Sequence, residues 1–356
     1  MSQKKKVKNF KKFVFILLAI AVLAVIFVGT LVYNALTAYQ LCVGARKAGE
    51  LRIHFLSVGQ GDCTLIEFPD GKKMLIDGGN GARENDKKIV AYLRALRVKT
   101  LDYMLLTHSD ADHCGGLERV VENFKVSRAF LPHKATLTST ETYRSLYEAV
   151  LRKVSAVEYS ERYDYIAGEN YFLMLLSPKS LTVTEDADDN ETSAVAWLDY
   201  QGVSALFAGD MTAETEEDIL RDCTLEPYVF TVNGKRADLN STEILKVAHH
   251  GSAGSSTLKW LQFLNFKTAI ISCGVNNSYG HPAKDTLDRL YVANPQARVY
   301  RTDDCGDIVV TVTQDGKYFE NYQYETQLLS SFSKVDGLLA AAYITKIKLS
   351  HTEILI

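Results

Sequence analysis

The sequence predicts an α/β protein in which mixed strands and intervening helices pack in layers. Strand-like apolar stretches recur along the chain, and amphipathic helical patterns separate many of them. Their order is a hairpin, a helix, a strand and a helix, then a second hairpin, a helix and two strand–helix units. This order is typical of a layered α/β fold and excludes a pure β-sandwich or a helical bundle. The apolar fraction of 47% is enough for a sizeable core.

The first half of the chain contains four predicted strands and three predicted helices. Residues 51–58 alternate between apolar and polar side chains, as a half-buried strand does. Pro69-Asp70-Gly71 is a hairpin turn, because proline presets φ and glycine permits a positive φ. A helix places Ile89, Leu93 and Leu96 on one face. The remaining elements are strands at residues 63–68, 73–76 and 101–107 and helices at 117–124 and 138–154.

The second half repeats this mixture of strands and helices. Gln201-Gly202 turns a predicted hairpin, and Gly306 precedes a last pair of strands. A helix carries Leu287, Leu290 and Tyr291 on one face. The other predicted strands are residues 171–176, 193–200, 203–208, 245–248 and 267–273.

The N-terminal segment has the pattern of a single-pass membrane anchor. Six lysines precede residues 13–33, an uncharged stretch of 21 residues, and about 20 apolar residues span a bilayer. The lysines before this stretch, with none after it until Arg46, place the N-terminus in the cytoplasm and the bulk of the chain on the extracellular side of the cell membrane. A cleaved signal peptide is the alternative, although its apolar region is usually shorter, about 7–15 residues.

Five segments are therefore predicted. They are a basic cytoplasmic tail at 1–12, a transmembrane anchor at 13–33, a linker at 34–50, a main domain at 51–320 and a C-terminal extension at 321–356 that carries no interpretable motif.

Charge and missing motifs exclude several classes of function. The formal net charge is −3, and the six N-terminal lysines leave residues 13–356 with −9, which is unlike a non-specific nucleic-acid binder. The chain has no GxGxxG, Walker or GxSxG motif, which argues against dinucleotide binding, P-loop phosphate transfer and serine hydrolysis. Its six cysteines form no CxxC pair, so they indicate neither a zinc ribbon nor a disulfide scaffold.

Metal-capable side chains follow the predicted strand at 101–107. Four of them lie within six residues: His108, Asp110, Asp112 and His113. Gly115 and Gly116 come next and let the chain turn tightly before a helix. Imidazole nitrogens and carboxylate oxygens at this spacing can hold one or two divalent cations. The alternative is a polar turn that only caps the helix, but a cap needs one such residue.

Other predicted strands also end in potential ligands. Asp77, Asp210, the pair His249 and His250, and later His281 each follow a strand. Each signal is weak alone, since Gly-Asp is usually a turn and His-Pro usually a surface loop. Their shared position at strand ends predicts that they meet the first cluster at one edge of a sheet.

These motifs resemble those of the metallo-β-lactamase superfamily. His108-x-Asp110-x-Asp112-His113 is similar to its HxHxDH signature, with Asp110 in place of the second histidine. The chain resembles more closely the hydrolase domain of ComEC-type competence proteins, over about residues 51–318. The motifs that carry this resemblance, besides the His108–His113 cluster, are Phe55-Leu56-Ser57-Val58-Gly59-Gln60-Gly61-Asp62, Leu75-Ile76-Asp77-Gly78-Gly79, Ala208-Gly209-Asp210, Lys246-Val247-Ala248-His249-His250-Gly251-Ser252 and Asn277-x-Tyr279-Gly280-His281-Pro282. The multi-span channel region of those proteins is missing here.

The resemblance implies a fold and a ligand set. The fold is a four-layer αββα sandwich, here preceded by one transmembrane helix, with the metals at one edge of the sheets. The implied metal ligands are His108, Asp110, Asp112, His113, Asp210 and His249, with Asp210 as the bridge between two ions. The implied catalytic residues are Asp112, His250 and His281. Which of the two adjacent histidines binds metal and which donates a proton stays open.

Two divalent cations, zinc or manganese, are expected. Asp110 is a harder ligand than the histidine it replaces, which shifts the preference towards manganese, with zinc as the alternative. The third histidine motif of the family has no counterpart between His133 and Asp210, and Asn190 or Ser193 stands near its place.

The expected activity is that of a membrane-anchored metal-dependent phosphodiesterase or nuclease acting on DNA. One alternative keeps the metal site but changes the substrate to a small phosphoester, a lactone or a cell-envelope component. A second alternative is a non-enzymatic membrane-anchored binding protein.

Overall fold

The computed structural model describes residues 12–28, 41–132, 140–179, 190–226 and 229–323. His133 and the predicted C-terminal extension from residue 324 onwards lie outside these residues.

Two mixed β-sheets form the framework of the protein. The first has the strand order β17-β16-β1-β2-β3-β4-β5-β6, and the second has the order β15-β14-β13-β10-β9-β8-β7. A separate two-stranded sheet pairs β11 with β12. The strands are β1 (Leu51–Phe55), β2 (Thr64–Glu67), β3 (Lys73–Ile76), β4 (Thr100–Leu105), β5 (Lys125–Leu131), β6 (Ala156–Tyr159), β7 (Tyr165–Ala167), β8 (Tyr171–Ser177), β9 (Val195–Tyr200), β10 (Val203–Phe207), β11 (Thr231–Val232), β12 (Lys235–Arg236), β13 (Ile244–Lys246), β14 (Thr268–Ile271), β15 (Arg298–Arg301), β16 (Ile308–Val312) and β17 (Tyr318–Tyr322).

Helices connect the strands and cover the sheets. They are α1 (residues 12–28), α2 (Arg83–Ala95), α3 (Ala111–Cys114), α4 (Leu117–Asn123), α5 (Glu141–Lys153), α6 (Ala213–Leu225), α7 (Leu258–Leu264), α8 (Lys284–Ala293) and α9 (Thr302–Cys305). Short 3₁₀ turns lie at Leu239–Ser241 and Ala248–Gly251.

Three apolar clusters show how the layers pack. One joins the two sheets, where the ring centroids of Phe55 in the first sheet and Phe207 in the second lie 6.3 Å apart. A second cluster lies between the first sheet and α2, α4 and α5. A third lies between the second sheet and α6, α7 and α8. β1 and β8 are therefore buried along their whole length. β8 is a continuous apolar run, whereas β1 alternates and buries Arg52 and His54 as well, so it is not the half-buried strand that its alternation predicted.

The strands that lead to the predicted site run parallel to a neighbour. β3 is parallel to β4 in the first sheet, and β10, β13 and β14 are consecutive parallel neighbours in the second. Parallel neighbours bring their carboxyl ends to the same edge of a sheet. This arrangement gathers the residues that follow these strands, which are the ones that carry the metal-capable side chains.

The predicted α/β architecture is confirmed as two mixed sheets flanked by helices. The predicted strands are present, mostly one to three residues shorter than their apolar runs, and the helix predicted at 138–154 spans Glu141–Lys153 within the described residues. The sequence missed β5, whose first half, Lys125-Val126-Ser127-Arg128, shows no apolar run, and the two-residue strands β11 and β12. It also missed β6, β7 and β15. Their residues are mainly half-buried or exposed, so neither alternation nor a continuous apolar run marks them.

The N-terminal helix α1 covers part of the predicted anchor, and its side chains are exposed throughout. Among the described helices, none has both the length and the apolar character needed to cross a bilayer. Residues 29–33 of the predicted span lie outside the described residues. The anchor therefore stays a prediction.

Candidate metal centre

Two loops of the first sheet pack against each other at the edge of the site. One follows β3 and the other, after β4, contains the single turn α3. Gly115 and Gly116 have helical φ values of −58° and −89°, which any residue adopts. A Cβ at Gly115 would lie 2.3 Å from the backbone nitrogen of Gly81, and one at Gly116 would lie 2.3 Å from the carbonyl oxygen of Gly78. The two glycines are therefore needed for the close approach of the loops, and not for the tight turn that the sequence suggested.

Three buried histidines each have Nδ1 held by a neighbouring acceptor. His113 Nδ1 lies 2.8 Å from Asp77 Oδ2, and His250 Nδ1 lies 2.9 Å from the carbonyl oxygen of Ser272. His108 Nδ1 lies 3.0 Å from Thr107 Oγ1, whose hydroxyl donates to Asp77 Oδ2 at 2.8 Å. An Nδ1–H donated to an acceptor leaves Nε2 with its lone pair, the form in which histidine binds a metal. Each of the three rings thus presents Nε2 as a potential ligand.

Asp77, one of the strand-end residues, faces away from the shared centre. It has a positive φ of 57° and accepts hydrogen bonds from the backbone N–H of Thr107 at 2.8 Å and from the Thr107 hydroxyl. Asp77 therefore orients two rings on their Nδ1 side: His113 directly, and His108 through the Thr107 hydroxyl.

Asp210 lies between His113, which follows a strand of the first sheet, and His250, which follows a strand of the second. Its Oδ1 is 3.2 Å from His113 Nε2, and its Oδ2 is 3.4 Å from His250 Nε2. Its backbone N–H donates to Ser193 Oγ at 3.1 Å, and a Cβ at the preceding Gly209 would lie 2.3 Å from that hydroxyl. Ser193 therefore positions Asp210 through its backbone.

Asp112 completes this group from the first sheet. Its Oδ2 lies 3.2 Å from His250 Nε2, and His113 Nε2 lies 3.3 Å from the same His250 atom. Two carboxylates and two imidazoles therefore converge: Asp112, His113, Asp210 and His250.

His108 and Asp110 lie beside this group. The His108 ring centroid is 4.1 Å from that of His113, and His108 Nε2 is 3.5 Å from Asp110 Oδ2. Asp110 is the outermost residue of the cluster, with 46% of its side chain exposed. His108, His113 and Asp210 have donor atoms within 4.8 Å of one another.

These residues fit divalent metal ions. Within the described parts of the chain, His108 Nε2 and Asp210 Oδ1 are buried and lie near charged neighbours, but neither makes a hydrogen bond, whereas buried polar atoms are normally hydrogen-bonded. Several sets of three residues have donor atoms within 4.8 Å of one another, close enough to bind one ion. Two of them are His108 with His113 and Asp210, and Asp112 with His113 and His250. We call such sets ligand groups. Nitrogen and carboxylate donors of this kind suit zinc and manganese.

The charges of the cluster shift its pKa values in a consistent way. Burial disfavours the charged forms, but the carboxylates of Asp210 and Asp77 hold the pKa of His113 well above its usual value. Against the same effect of burial, Asp210 and Asp62 raise the pKa of His250 to about 10. Conversely, His113 and His250 hold the pKa of Asp210 well below its usual value, although burial opposes this. Without metal, the histidines therefore neutralise the carboxylates, and metal binding must displace their protons.

The adjacent histidines lie in different environments. Both have a left-handed backbone, with φ of 48° at His249 and 54° at His250. His250 is buried in the ligand group, whereas the His249 side chain is 29% exposed and its Nε2 is 3.6 Å from Asp210 Oδ2. Burial lowers the pKa of His249. In the described residues, the structure places His250 in the ligand groups and His249 outside them.

His281 lies at the rim of the site. Its ring centroid is 5.6 Å from that of His249 and 6.3 Å from that of His250, and it belongs to none of the ligand groups among the described residues. Burial lowers its pKa. The Asn277 side chain holds this loop by accepting from the His281 backbone N–H at 2.9 Å, and the exposed ring of Tyr279 stacks on His281 at 5.8 Å.

Sequence reasoning missed Asp62 and Lys246 as site residues. Asp62 Oδ1 lies 3.4 Å from His250 Nδ1, and Lys246 forms an ion pair with Asp62. Both residues stand inside the motifs that carried the family resemblance, so a signal was present. Their roles were not readable, because no pattern in the sequence shows that the two motifs touch.

Comparison with known proteins agrees with this geometry. The metallo-beta-lactamase superfamily matches residues 56–275, which is more than half of the chain. ComE operon protein 3 of Bacillus subtilis is 30% identical over 276 residues, which cover 73% of this chain and 33% of that protein. Competence protein ComA of Neisseria gonorrhoeae is 25% identical over 241 residues, 68% of this chain and 30% of that protein.

The chain thus spans about a third of the length of these relatives. Among solved structures, the metallo hydrolase Igni18 of Ignicoccus hospitalis shares 12% identity at a TM-score of 0.43, over 76% of this chain and 98% of that one.

Proposed function

The chain belongs to the metallo-beta-lactamase superfamily and is a metal-dependent hydrolase with a buried His/Asp cluster, and from this premise we propose that it is a phosphodiesterase that cleaves DNA. The observation that carries the proposal is the convergence of Asp112, His113, Asp210 and His250 at the edge shared by the two sheets. The DNA substrate is supported by the resemblance to competence proteins. Because the chain spans about a third of those relatives, their wider activities are not carried over.

We propose two adjacent metal positions. His108, Asp110 and Asp210 would hold one ion, and Asp112, His113, His250 and Asp210 would hold the other, with Asp210 shared. His250 thereby takes the ligand role that the sequence gave to His249. Divalent cations at such a site supply an activated water and neutralise charge on the attacked phosphate.

The chain's own residues prepare the site for this reaction. Thr107, Asp77 and the Ser272 carbonyl fix the tautomers of the three ligand histidines. His250 has both ring nitrogens engaged within the cluster, so it has no N–H left for a leaving group. His249 and His281 lie on the outer side, and we propose that one of these rim histidines donates the proton to the leaving oxygen.

The experiment that tests this proposal compares three substrates. The full-length protein, loaded with Mn²⁺ or Zn²⁺, is incubated with single-stranded DNA, double-stranded DNA and bis(p-nitrophenyl) phosphate. We expect metal-dependent cleavage of DNA that falls by more than about 100-fold in Asp112→Ala, since even loss of an outer-shell partner costs 10–100-fold. Intact DNA at all metal concentrations contradicts the nuclease assignment.

The negative charge of residues 13–356 favours a second substrate class, which is not a nucleic acid. Residues 13–356 carry a net charge of −9, which repels a DNA backbone at low salt. A small phosphoester, lactone or cell-envelope substrate needs no basic surface. Hydrolysis of bis(p-nitrophenyl) phosphate without DNA cleavage selects this candidate. A purified protein that contains no metal by elemental analysis, and that added metal does not stabilise, selects a non-enzymatic binding protein instead.

We also propose that the chain is anchored in the cell membrane by residues 13–33, with the hydrolase domain outside. The support is the uncharged stretch of 21 residues behind six lysines, together with apolar side chains such as Phe15 and Val25 that are 74% and 72% exposed. Membrane fractionation tests it. The full chain is expected in the pellet and a chain without residues 1–33 in the supernatant. Recovery of both in the supernatant contradicts an anchor.

A further inference from the structure

A buried ion pair lies beside the metal centre, on the Nδ1 side of His250. Lys246 is 2% exposed and Asp62 is 4% exposed, and Lys246 Nζ pairs with Asp62 Oδ2. A buried lysine is costly unless it is paired, and a well-packed apolar pair of the same size would be no less stable. A contribution to stability therefore does not explain this pair.

The position of Asp62 relative to the His250 ring is informative. Asp62 Oδ1 lies 3.4 Å from Nδ1 of that ring, whereas the ligand carboxylates of Asp112 and Asp210 lie on the Nε2 side. Asp62 also has a donor atom within 4.8 Å of those of Asp210 and His250. The Nδ1 hydrogen bond of this ring goes to the Ser272 carbonyl oxygen at 2.9 Å, so Asp62 acts on the ring by charge. Its other oxygen pairs with Lys246.

The same two residues connect the loops that carry the ligands. The Asp62 backbone N–H donates to the carbonyl oxygen of Asp112 at 3.1 Å, and its carbonyl accepts from Gly79 N–H at 2.7 Å. A Cβ at Gly61 would lie 2.3 Å from the Asp112 carbonyl oxygen, so the two chains are in close contact. Lys246 Nζ lies 3.5 Å from the carbonyl oxygen of Gly209, directly before Asp210.

We propose that Asp62 and Lys246 are positioning residues that hold the His250 ring and the Asp112 and Asp210 loops in the geometry that binds metal. Asp62 orients the His250 ring by its charge on the Nδ1 side. Lys246 forms the ion pair that holds Asp62 in place, and its ammonium group also contacts the Gly209 carbonyl oxygen in the loop after β10. The inference rests on the proposed metal centre but is independent of the substrate. It deepens that proposal by naming the residues on which the affinity of the site depends.

Burial and charge agree with this assignment. Although burial opposes ionisation, Lys246 and His250 hold the pKa of Asp62 well below its usual value. A carboxylate on the Nδ1 side of an imidazole, held there by a lysine, makes Nε2 a stronger metal ligand.

The test measures metal binding by titration calorimetry with Mn²⁺ or Zn²⁺ alone, in the full-length protein. The double variant Asp62→Asn/Lys246→Met removes both charges and leaves no unpaired buried ion. We expect it to fold with nearly wild-type thermal stability without metal and to bind metal 10–100-fold more weakly. Wild-type metal affinity in a folded double variant overturns the inference.

A matched control separates positioning from the general loss of a buried ion pair. Arg52 and Glu50 form such a pair, with side chains 7% and 8% exposed, outside the ligand groups of the described chain. The control Glu50→Gln/Arg52→Met should retain metal affinity within about threefold, whatever it does to stability. An equal loss of affinity in this control overturns the inference.

A second measurement applies if the double variant does not fold. The single variant Asp62→Asn keeps the shape of the side chain, and ¹⁵N NMR of the imidazoles reports the tautomer of His250. We expect the His250 Nδ1–H signal to shift or broaden in Asp62→Asn while that of His113 changes less. An unchanged His250 signal overturns the inference. Absence of metal binding in the wild type overturns the proposed metal centre itself, and the two failures are thereby distinguished.

Discussion

The left-handed backbone at His249 and His250 gives these two adjacent side chains different environments. Both have positive φ, and the resulting turn buries one ring among carboxylates and leaves the other half-exposed at the rim. A left-handed conformation in two successive non-glycine residues costs free energy, and such strain is typical of functional sites.

Replacing each of these histidines separately distinguishes their roles. We expect His250→Gln to weaken Mn²⁺ or Zn²⁺ binding by more than about 100-fold, because a direct ligand contributes more than an outer-shell partner. His249→Gln should change affinity by less than about threefold but slow turnover, as loss of a proton donor does. Calorimetry and steady-state kinetics measure the two effects. The reverse ranking of affinities contradicts the ligand role of His250.

The metal-free protein should become less stable as pH rises above neutrality. The pKa of His250 is raised to about 10, since the nearby Asp210 and Asp62 outweigh burial, and an unfolded histidine titrates near 6.5. A group whose folded pKa is raised contributes stability that is fully present below about pH 6.5 and is lost as pH rises towards 10. His113, also raised, adds to the same trend.

Denaturant unfolding of the metal-stripped protein across this range measures the trend. His250→Gln, which cannot take up the proton, is the comparison, and its stability should fall less over the same interval. The groups that face His250 are Asp62, Asp112, Asp210 and His113. Parallel curves for the two proteins contradict the assignment of the titration to His250.

At the scale of elements, the strand ends and the loops after them build the site. The sequence predicted most of this, because apolar runs that end in His or Asp mark β3, β4, β10 and β13 clearly. The strand-end pattern could not distinguish residues that would bind metal from residues that orient those ligands. Asp77 and Asp112 both come after predicted strands, and only the three-dimensional contacts show that Asp77 faces Nδ1 of His113.

At Gly115, backbone propensity and packing predict opposite changes in the free energy of unfolding when the glycine is replaced by alanine. Its φ and ψ of −58° and −40° are helical, so Gly115→Ala would stabilise by roughly 0.5–1 kcal/mol if only backbone entropy mattered. The new Cβ would lie 2.3 Å from the Gly81 nitrogen. We expect instead a loss of about 1–3 kcal/mol from overpacking, together with weaker metal binding.

Gly254→Ala is the control for that substitution. The nearest atom to a Cβ at Gly254 is Ser252 Oγ at 3.8 Å, so its effect should stay within about 0.5 kcal/mol. Thermal unfolding with and without metal measures both variants. Stabilisation by Gly115→Ala would show that the two loops are not in the close contact described above.

On the scale of the whole molecule, the ligands come from both sheets. His108, Asp112 and His113 follow β4 in the first sheet, whereas Asp210 and His250 follow β10 and β13 in the second. A bound ion would connect the two sheets at their shared edge, in addition to the apolar cluster between them.

Metal should therefore stabilise the domain as one unit. At a free metal concentration of about 1,000 times the dissociation constant, one site adds about 4 kcal/mol to the free energy of unfolding. Calorimetric scans with and without chelator should show one cooperative transition that moves to higher temperature with metal. Asp210→Asn is expected to lose most of the shift. A metal-dependent shift confined to part of the unfolding transition contradicts the connection between the sheets.

How far the sequence predicted the molecule also depends on scale. It predicted the layered fold and the edge on which the site lies, because both follow from apolar periodicity and from residues at strand ends. It did not predict the pairing of Asp62 with Lys246, which lie 184 positions apart in residue number. Nor did it predict the edge strand β15, whose first two residues, Arg298 and Val299, are exposed.

The pairing of β1 with β16 has a consequence for how such a domain combines with other sequences. Leu51, at the start of β1, lies opposite Val312, which in turn lies opposite Tyr318 at the start of β17. The first and last described strands, β1 and β17, therefore lie in one sheet with only β16 between them. Domains whose termini are close tolerate insertion and permutation. We therefore expect that a longer polypeptide can be joined before β1 or after β17 without rearranging the two sheets.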